Sequence, residues 1–350
     1  LFDLSQFFNT GTNFLSDPKI LFDNQSGRWF ASIISIQGFN SLTGAATSAN
    51  IRVAVSDTDD PTSFWNIYNI SVGTIIPDQP IIGVNDDKFV VSANDFANPV
   101  TFSGAQYWVL NKAEMVSGIA SVHLNTFGIA GGLISVHPAQ SLSPGATDYM
   151  VSTGGAGSNI PDNIVQLFSV TGVPSASSNA VVSPPQNLTV SPIGATRSGG
   201  GGCGIDWICF PYGPIPTGGQ PGTGVTVNTD DFRVLDASWY KGKLWLALND
   251  GCVPAGSNVA QACFRLTQID TTTTPAIVIQ DFDVGTIGLD YFYPALRTDA
   301  AGNLDVVFGL SSNSNSTCCY PSIAITGQGV GDPANSLAPI RILKAGSASD

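Results

Sequence analysis

The feature that most constrains this chain is a strand–turn–strand unit that recurs along its length. The first copy reads Asp17-Pro18-Lys19-Ile20-Leu21-Phe22-Asp23, turns through Asn24-Gln25-Ser26-Gly27, and resumes Arg28-Trp29-Phe30-Ala31-Ser32-Ile33. Two further runs, Ile51 to Ser56 and Trp65 to Ile70, complete it. The second copy opens at Gln79-Pro80, turns at Asn85-Asp86-Asp87, and continues from Phe89 to Ala93 and from Gln106 to Asn111. A third, weaker copy runs from Pro138 through Tyr149 to Ser152, Ile164 to Val170 and Asn187 to Val190. The fourth covers Arg233 to Trp239, Leu244 to Ala247, Phe264 to Ile269 and Ala276 to Phe282. The fifth covers Tyr293 to Leu296, Leu304 to Leu310, Ser322 to Thr326 and Ile340 to Lys344. Runs of five to eight Val, Ile, Phe, Tyr and Trp bounded by Gly, Pro, Asn and Asp are strands. Helix-period patterning is nearly absent.

Four strands repeated every ~60 residues predict an all-β fold and, more narrowly, a β-propeller of about five to six four-stranded blades. Radial repetition leaves only short protected sheet edges, and it explains a recurring opening that a pair of β-sandwiches would not. The expectation is one domain over residues 1–350. The apolar segment 1–10, with Leu1 to Phe8 at its head, is expected to be a strand that closes the ring or pairs with a neighbour. Residues 194–228 interrupt the repeat with Gly199 to Gly202, Cys203, Trp207, Cys209 and several prolines, and predict a stapled insertion loop. Trp207, Phe210 and Tyr212 are its binding or interface candidates.

Composition limits partners. Acids outnumber bases 26 to 13, for a formal charge of −13, and no Lys/Arg cluster exists to neutralise phosphates. Nucleic acid and anionic lipid are therefore excluded, and no run is long and apolar enough for a membrane span. Six cysteines, Cys203, Cys209, Cys252, Cys263, Cys318 and Cys319, form an even set without a C-x2-C pair. That pattern reads as disulfides, with Cys252–Cys263 closing a loop; Cys318 and Cys319 either bridge each other or reach separately to Cys203 and Cys209. Sequons at Asn24, Asn69, Asn187 and Asn315 are glycosylation candidates. Together these signs predict an extracellular, secreted or cell-surface glycoprotein.

The stretch Asp17 to Phe30, the Ser56-Asp57-Thr58-Asp59-Asp60-Pro61 turn leading to Phe64-Trp65, and Tyr293-Pro294 resemble secreted bacterial β-propeller-type repeat proteins of undefined function. The resemblance implies fold and export, and supplies no catalytic residue. The Ser26-Gly27-Arg28-Trp29 turn is similar to the Asp-box hairpin of sialidase-like propellers, but the S-x-D-x-G-x-x-W spacing is missing, so sialidase chemistry is not implied.

Catalytic candidates are few. His123 alternates with Val122 and Leu124 as a strand residue does, and His137 precedes Pro138 in a turn. Asp23, Asp59, Asp86 and Asp299 fall in turns, where carboxylates cap backbone N–H groups. No catalytic set is assigned. The clusters Asp57-Asp59-Asp60, Asn85-Asp86-Asp87 and Asp230-Asp231 offer oxygen ligands for calcium without the EF-hand spacing, and solvated turns are the favoured reading, so no cofactor is expected. The functional expectation is a non-catalytic structural or adhesive protein, a subunit of a filament or surface layer partnered by itself or by cell-surface glycans. On that reading Leu1 to Phe8 and Pro339 to Lys344 pair with neighbouring subunits. The alternative is a carbohydrate-binding or carbohydrate-active propeller, a lectin or glycoside hydrolase, in which Trp108, Trp207 or Tyr212 stacks on sugar rings.

Overall fold

The computed structural model describes residues 3–40, 46–98, 101–130, 132–153, 160–194, 203–204, 208–209, 215–222, 224–313 and 319–348. The protein is all-β. A four-residue helix α1 (Leu4–Phe7) precedes β1 (Phe14–Asp23), β2 (Arg28–Gln37), β3 (Ser48–Ser56) and β4 (Trp65–Gly73), which pair in that order as an antiparallel sheet. The next set is β5 (Ile76–Val84), β6 (Lys88–Asn98), β7 (Thr101–Asn111) and, after the short helix α2 (Lys112–Val116), β8 (Leu124–Ala130). A less regular set follows: β9 (His137–Pro138), β10 (Gln140–Ser141), β11 (Asp148–Ser152), β12 (Ile164–Thr171), β13 (Val181–Val182) and β14 (Gln186–Thr189). Two-residue strands β15 (Cys203–Gly204) and β16 (Ile208–Cys209) pair with each other. The last two antiparallel sets are β17 (Val234–Tyr240), β18 (Lys243–Cys252), β19 (Gln261–Asp270), β20 (Ile277–Val284), and β21 (Asp290–Thr298), β22 (Leu304–Ser311), β23 (Tyr320–Gln328), β24 (Arg341–Gly346). Apart from the N-terminal segment, each strand run read from the sequence overlaps one or more of these elements.

The chain divides into two compact units, Leu1–Met150 with Phe168–Pro184, and Val151–Leu167 with Pro185–Asp350. In the first, Phe30, Ile51, Val53 and Val55 of the opening sheet pack on Val84, Phe89, Val91 and Trp108 of the second. In the second, Trp245, Phe264 and Leu266 pack on Leu296, Leu304, Val306 and Phe308. Trp108 is thus a core residue, 2% exposed, and not the sugar-stacking surface the alternative reading expected.

The repeated X-Pro opening has a structural reason. Asp17, Gln79 and Tyr293, each just before a proline, hold φ of 54°, 48° and 53°. At each the register slips, between Ser16 and Lys19, Asp78 and Ile81, and Phe292 and Ala295. Proline cannot donate to the ladder, so the strand bulges there, and a non-glycine residue at positive φ is unfavourable unless its surroundings hold it. Side chains of the preceding sheet do so. The Gln79 N–H donates to Asp17 Oδ2 at 3.1 Å and the Tyr293 N–H to Asn249 Oδ1 at 2.6 Å. Ser135, at φ 46°, donates its N–H to Asn94 Oδ1 at 2.7 Å.

Asn94 and Asn249 belong to a repeated string, Lys88-x5-Asn94-Asp95 on β6 and Lys243-x5-Asn249-Asp250 on β18. Alternation turns each Asn toward the following sheet and each Asp to the other face.

The N-terminal segment is not the strand expected of residues 1–10. Asp3 caps α1 by accepting the Ser5 N–H at 2.7 Å, and Phe8, 2% exposed, packs with Phe7 against Ala31, Ile33 and Trp65. An aspartate followed by residues without β-branching nucleates a helical turn, and the sheet face behind it buries the two phenylalanines.

Candidate functional site

A polar cleft lies inside the second unit, and it begins at the β17–β18 hairpin. Lys241 (φ 45°) and Gly242 (φ 86°) both take positive φ, the geometry of a two-residue turn that matches strand twist. A Cβ on Gly242 would sit 2.3 Å from Thr272 Cγ2, so glycine is required there for space as well as for backbone conformation. The turn sets Tyr240 at its base. The Tyr240 hydroxyl donates to the Ala300 carbonyl at 2.5 Å, and Lys241 Nζ lies 4.9 Å from the ring centroid. Trp245, two residues past Lys243, is core.

Opposite this hairpin stand three glutamines. Gln268 and Gln280 are cross-strand partners on β19 and β20, and Gln328 ends β23. Gln280 Nε2 donates to Gln268 Oε1 at 2.9 Å and to Gln328 Oε1 at 3.0 Å. Gln328 Nε2 donates back to Gln280 Oε1 at 3.0 Å and also reaches the carbonyls of Pro333 and Ser336. Thr298, Leu304, Gly302 and the 329–334 loop complete a cleft of about 370 Å³. In that loop Asp332 Oδ2 accepts the Gly329 N–H at 2.7 Å. Lys243 Nζ pairs with Asp270 Oδ2 at 2.5 Å, and hydrogen bonds from Lys243 and Thr272 hold the Asp270 carboxyl down to about 2.

On the other face of β19 a buried charge cluster surrounds Arg265. Its Nε contacts Asp250 Oδ2 at 2.8 Å and Asp283 Oδ1 at 3.0 Å, and its Nη1 contacts Asp281 Oδ2 at 3.0 Å. Asp250 also accepts the N–H groups of Gly194 and Gly251, and Arg265 donates to the carbonyls of Ser191 and Pro192. Burial, then the neighbouring Asp250 charge, pushes the Asp283 carboxyl up to about 7. Every carboxylate here faces the guanidinium or backbone N–H, an arrangement that ties strands together.

The first unit holds a second buried cluster. Lys112 Nζ pairs with Asp23 Oδ2 at 2.6 Å, and Lys88 Nζ with Asp87 Oδ1 at 2.5 Å and the Ala146 carbonyl at 2.6 Å. Asp148, fully buried beside Lys88 and Lys112, is pushed up to about 7 by desolvation, and its Oδ2 has no partner among the described residues.

Cys252 and Cys263 are bridged, as expected for the loop they flank, and a Cβ on Gly285 would meet both sulfurs at 2.7 Å. Cys203 and Cys209 are backbone register partners on β15 and β16, and Cys319 is disulfide-bonded. Cys318, Asn315, Trp207, Phe210 and Tyr212 lie outside the described residues. Asn24, Asn69 and Asn187 are exposed, Asn69 bonded to Asn50 and Asn187 to Gln166.

His123 meets Glu114 at 2.8 Å on the surface, and buried His137 bonds the Pro138 carbonyl. The turn acids act as caps: Asp23 for Gln25 and Ser26, Asp60 for Thr62, Asp299 for Ala301 and Asn303. Asp86 accepts the Gly145 N–H, and Asp230 and Asp231 pair with Arg233. Among the described residues no group of three or more His, Cys, Asp or Glu is placed to hold a metal ion, and no helix is long and apolar enough to cross a membrane. Sequence reasoning did not single out the glutamine cleft or the Arg265 cluster. The K-x5-N-D string of β18, which holds Asp250, was a signal available for the latter.

No family model matches the chain, and no curated protein does. Among solved structures it is similar to a thermostable family-43 glycoside hydrolase, at 13% identity over 97% of this chain and 98% of that one, with a TM-score of 0.38. It is similar also to a xylan β-1,4-xylosidase from Bacillus halodurans C-125, at 12% identity over 95% of this chain and 56% of that one, with a TM-score of 0.40. A third is a Cellvibrio cellulosa α-L-arabinanase, at 10% identity over 89% and 91%, with a TM-score of 0.34. These structures are glycoside hydrolases, not assembly subunits, and on that finding the expectation of a non-catalytic structural or adhesive subunit is corrected. Identities and TM-scores this low carry neither reaction nor substrate to this chain. Of the two segments expected to pair with neighbouring subunits, the first holds the helical turn α1, packed on its own sheet, and the second enters β24, which pairs with β23.

Proposed function

We propose that the chain is an extracellular, carbohydrate-binding β-propeller of about five to six blades, and that it holds sugar in the cleft between the Tyr240–Lys243 hairpin and the three glutamines. The repeated four-stranded sets, three of them with a proline bulge in the opening strand, support the propeller, and the Cys252–Cys263 bridge supports an oxidising compartment.

The observation that carries the sugar reading is the cleft's lining. An aromatic ring and a rigid array of side-chain amides surround about 370 Å³, the combination that offers a sugar an apolar face and fixed hydrogen-bond partners at once. Binding without turnover is the reading that fits this cleft. Its described lining includes one carboxylate, Asp332, already engaged with the Gly329 N–H, whereas glycoside hydrolysis commonly uses a pair of carboxyl groups flanking the scissile bond.

Calorimetric titration with xylohexaose, cellohexaose and trigalacturonic acid tests the proposal. At least one is expected to bind the wild type, and Tyr240→Ala, which removes the ring, is expected to abolish that binding. Absence of binding to all three, or Tyr240→Ala binding as wild type does, overturns it.

A further inference from the structure

The buried cluster of the first unit brings an amine and a carboxyl into contact away from solvent. Asp23 ends β1 and Lys112 begins α2; their side chains are 0% and 4% exposed, and Lys112 Nζ stands 2.6 Å from Asp23 Oδ2.

The remaining hydrogen bonds of the pair are unevenly shared. Asp23 Oδ2 also accepts the Ser26 N–H at 3.1 Å and the Ser26 hydroxyl, so three donors crowd one oxygen. Asp23 Oδ1 accepts the Gln25 N–H at 3.2 Å. Lys112 Nζ donates in addition to the Asn85 carbonyl at 2.5 Å. An amide joining Lys112 Nζ to Asp23 Cγ needs one acceptor for its N–H and one donor for its oxygen, and the Asn85 carbonyl and the Gln25 N–H already stand in those places. Oδ2, with its three donors, is the oxygen set up to leave.

The surroundings favour the neutral product. Two charges kept out of water are costly even when they face each other, and an amide with both its hydrogen bonds made carries no such cost. Asp148, fully buried and in electrostatic interaction with Lys112 and Lys88, is pushed up to about 7 by desolvation, so the cluster also holds a carboxyl that takes and returns a proton near neutral pH.

We propose that Lys112 and Asp23 condense into an intramolecular isopeptide bond. Lys112 Nζ loses a proton and attacks Asp23 Cγ; the Nζ–Cγ bond forms and the Cγ–Oδ2 bond breaks. Two of the three ammonium protons leave with Oδ2 as water, and the third stays on the amide, facing the Asn85 carbonyl. No electron passes to or from another group. The bond staples the end of β1 to the start of α2 and closes a loop that unfolding cannot open.

Peptide mass mapping of the native protein, after reduction of its disulfides, tests the inference. The expected result is a linked pair joining the peptide that holds Asp23 to the one that holds Lys112, lighter than the two together by one water, with no tryptic cleavage after Lys112. Lys112→Arg keeps a positive charge beside Asp23 without the nucleophilic amine, and is expected to give the corresponding peptides unlinked and at full mass. Both peptides unlinked at full mass in the wild type overturn the inference. So does a loss of water from the Asp23 peptide that persists in Lys112→Arg, the mark of a succinimide at Asp23-Asn24 in place of a cross-link.

Discussion

Strands β6 and β18 carry the same K-x5-N-D string in different units, and their aspartates meet different partners. Asn94 and Asn249 do the same work, each accepting the N–H of a positive-φ residue in the next segment. The aspartates diverge. Asp250 is engaged by Arg265 and two backbone N–H groups. Asp95, equally buried, has neither carboxylate oxygen partnered among the described residues, and desolvation pushes it up to about 7.

One position on the adjacent strand accounts for this. Asp250 pairs with Cys263 and Asp95 with Gly104, so Arg265 and Gln106 occupy the same place two residues on. The guanidinium supplies the charge that an amide cannot. Burial raises the Asp250 carboxyl as well, while the Arg265 charge and the N–H donors pull it back toward ionisation, a counterweight that Asp95 lacks among the described residues.

The comparison breaks most severely at Arg265. Arg265→Met would leave Asp250, Asp281 and Asp283 facing one another without a cation, and is expected to cost about 3–5 kcal/mol in urea unfolding at pH 7. A loss below about 1 kcal/mol would show that the cluster does not hold its strands.

Asp95→Asn is the next largest and runs the other way. Because the folded carboxyl is raised above its unfolded value of 3.8, the folded state binds the extra proton between about pH 4 and 7. Stability from this group is therefore present at low pH and is lost as pH rises through about 7. Asp95→Asn should match wild type near pH 5 and exceed it by on the order of 2–4 kcal/mol at pH 8, read as chemical denaturation across pH. An identical pH profile for the two proteins would mean that Asp95 does not titrate there.

The smallest effect sharpens the comparison by making the two strands alike. Gln106→Arg places a guanidinium where Arg265 stands in the second unit, and is expected to stabilise by about 1 kcal/mol at pH 8 while flattening the wild-type pH dependence. The gain should vanish in the Asp95→Asn background. A gain that survives there would come from the arginine's packing and not from the ion pair.

What the chain spelled out locally was read correctly from it. The openings at Asp17-Pro18, Gln79-Pro80 and Tyr293-Pro294, the hairpin turns and the alternating runs place the strands of the repeated copies, and Cys252–Cys263 closes the predicted loop. Segment 1–10 went the other way, since an apolar run of this length suits a strand or a helical turn equally, and the Asp3 cap with the sheet behind it chose the turn. Trp108 looked as fit for a sugar surface as for a core, and only packing against Phe89 and its neighbours assigned it.

By itself, then, the sequence determined the all-β class and the repeated four-stranded unit, because alternation, proline bulges and turn residues act over a few positions of chain. Tertiary structure decided which partners each buried acid meets and the place of the cleft. Gln268, Gln280 and Gln328 are ordinary strand glutamines in the sequence, and Asp95 and Asp250 stand in the same local string. Their different roles come from strands brought beside them by pairing and packing, where burial multiplies the energetic weight of each missing or present partner.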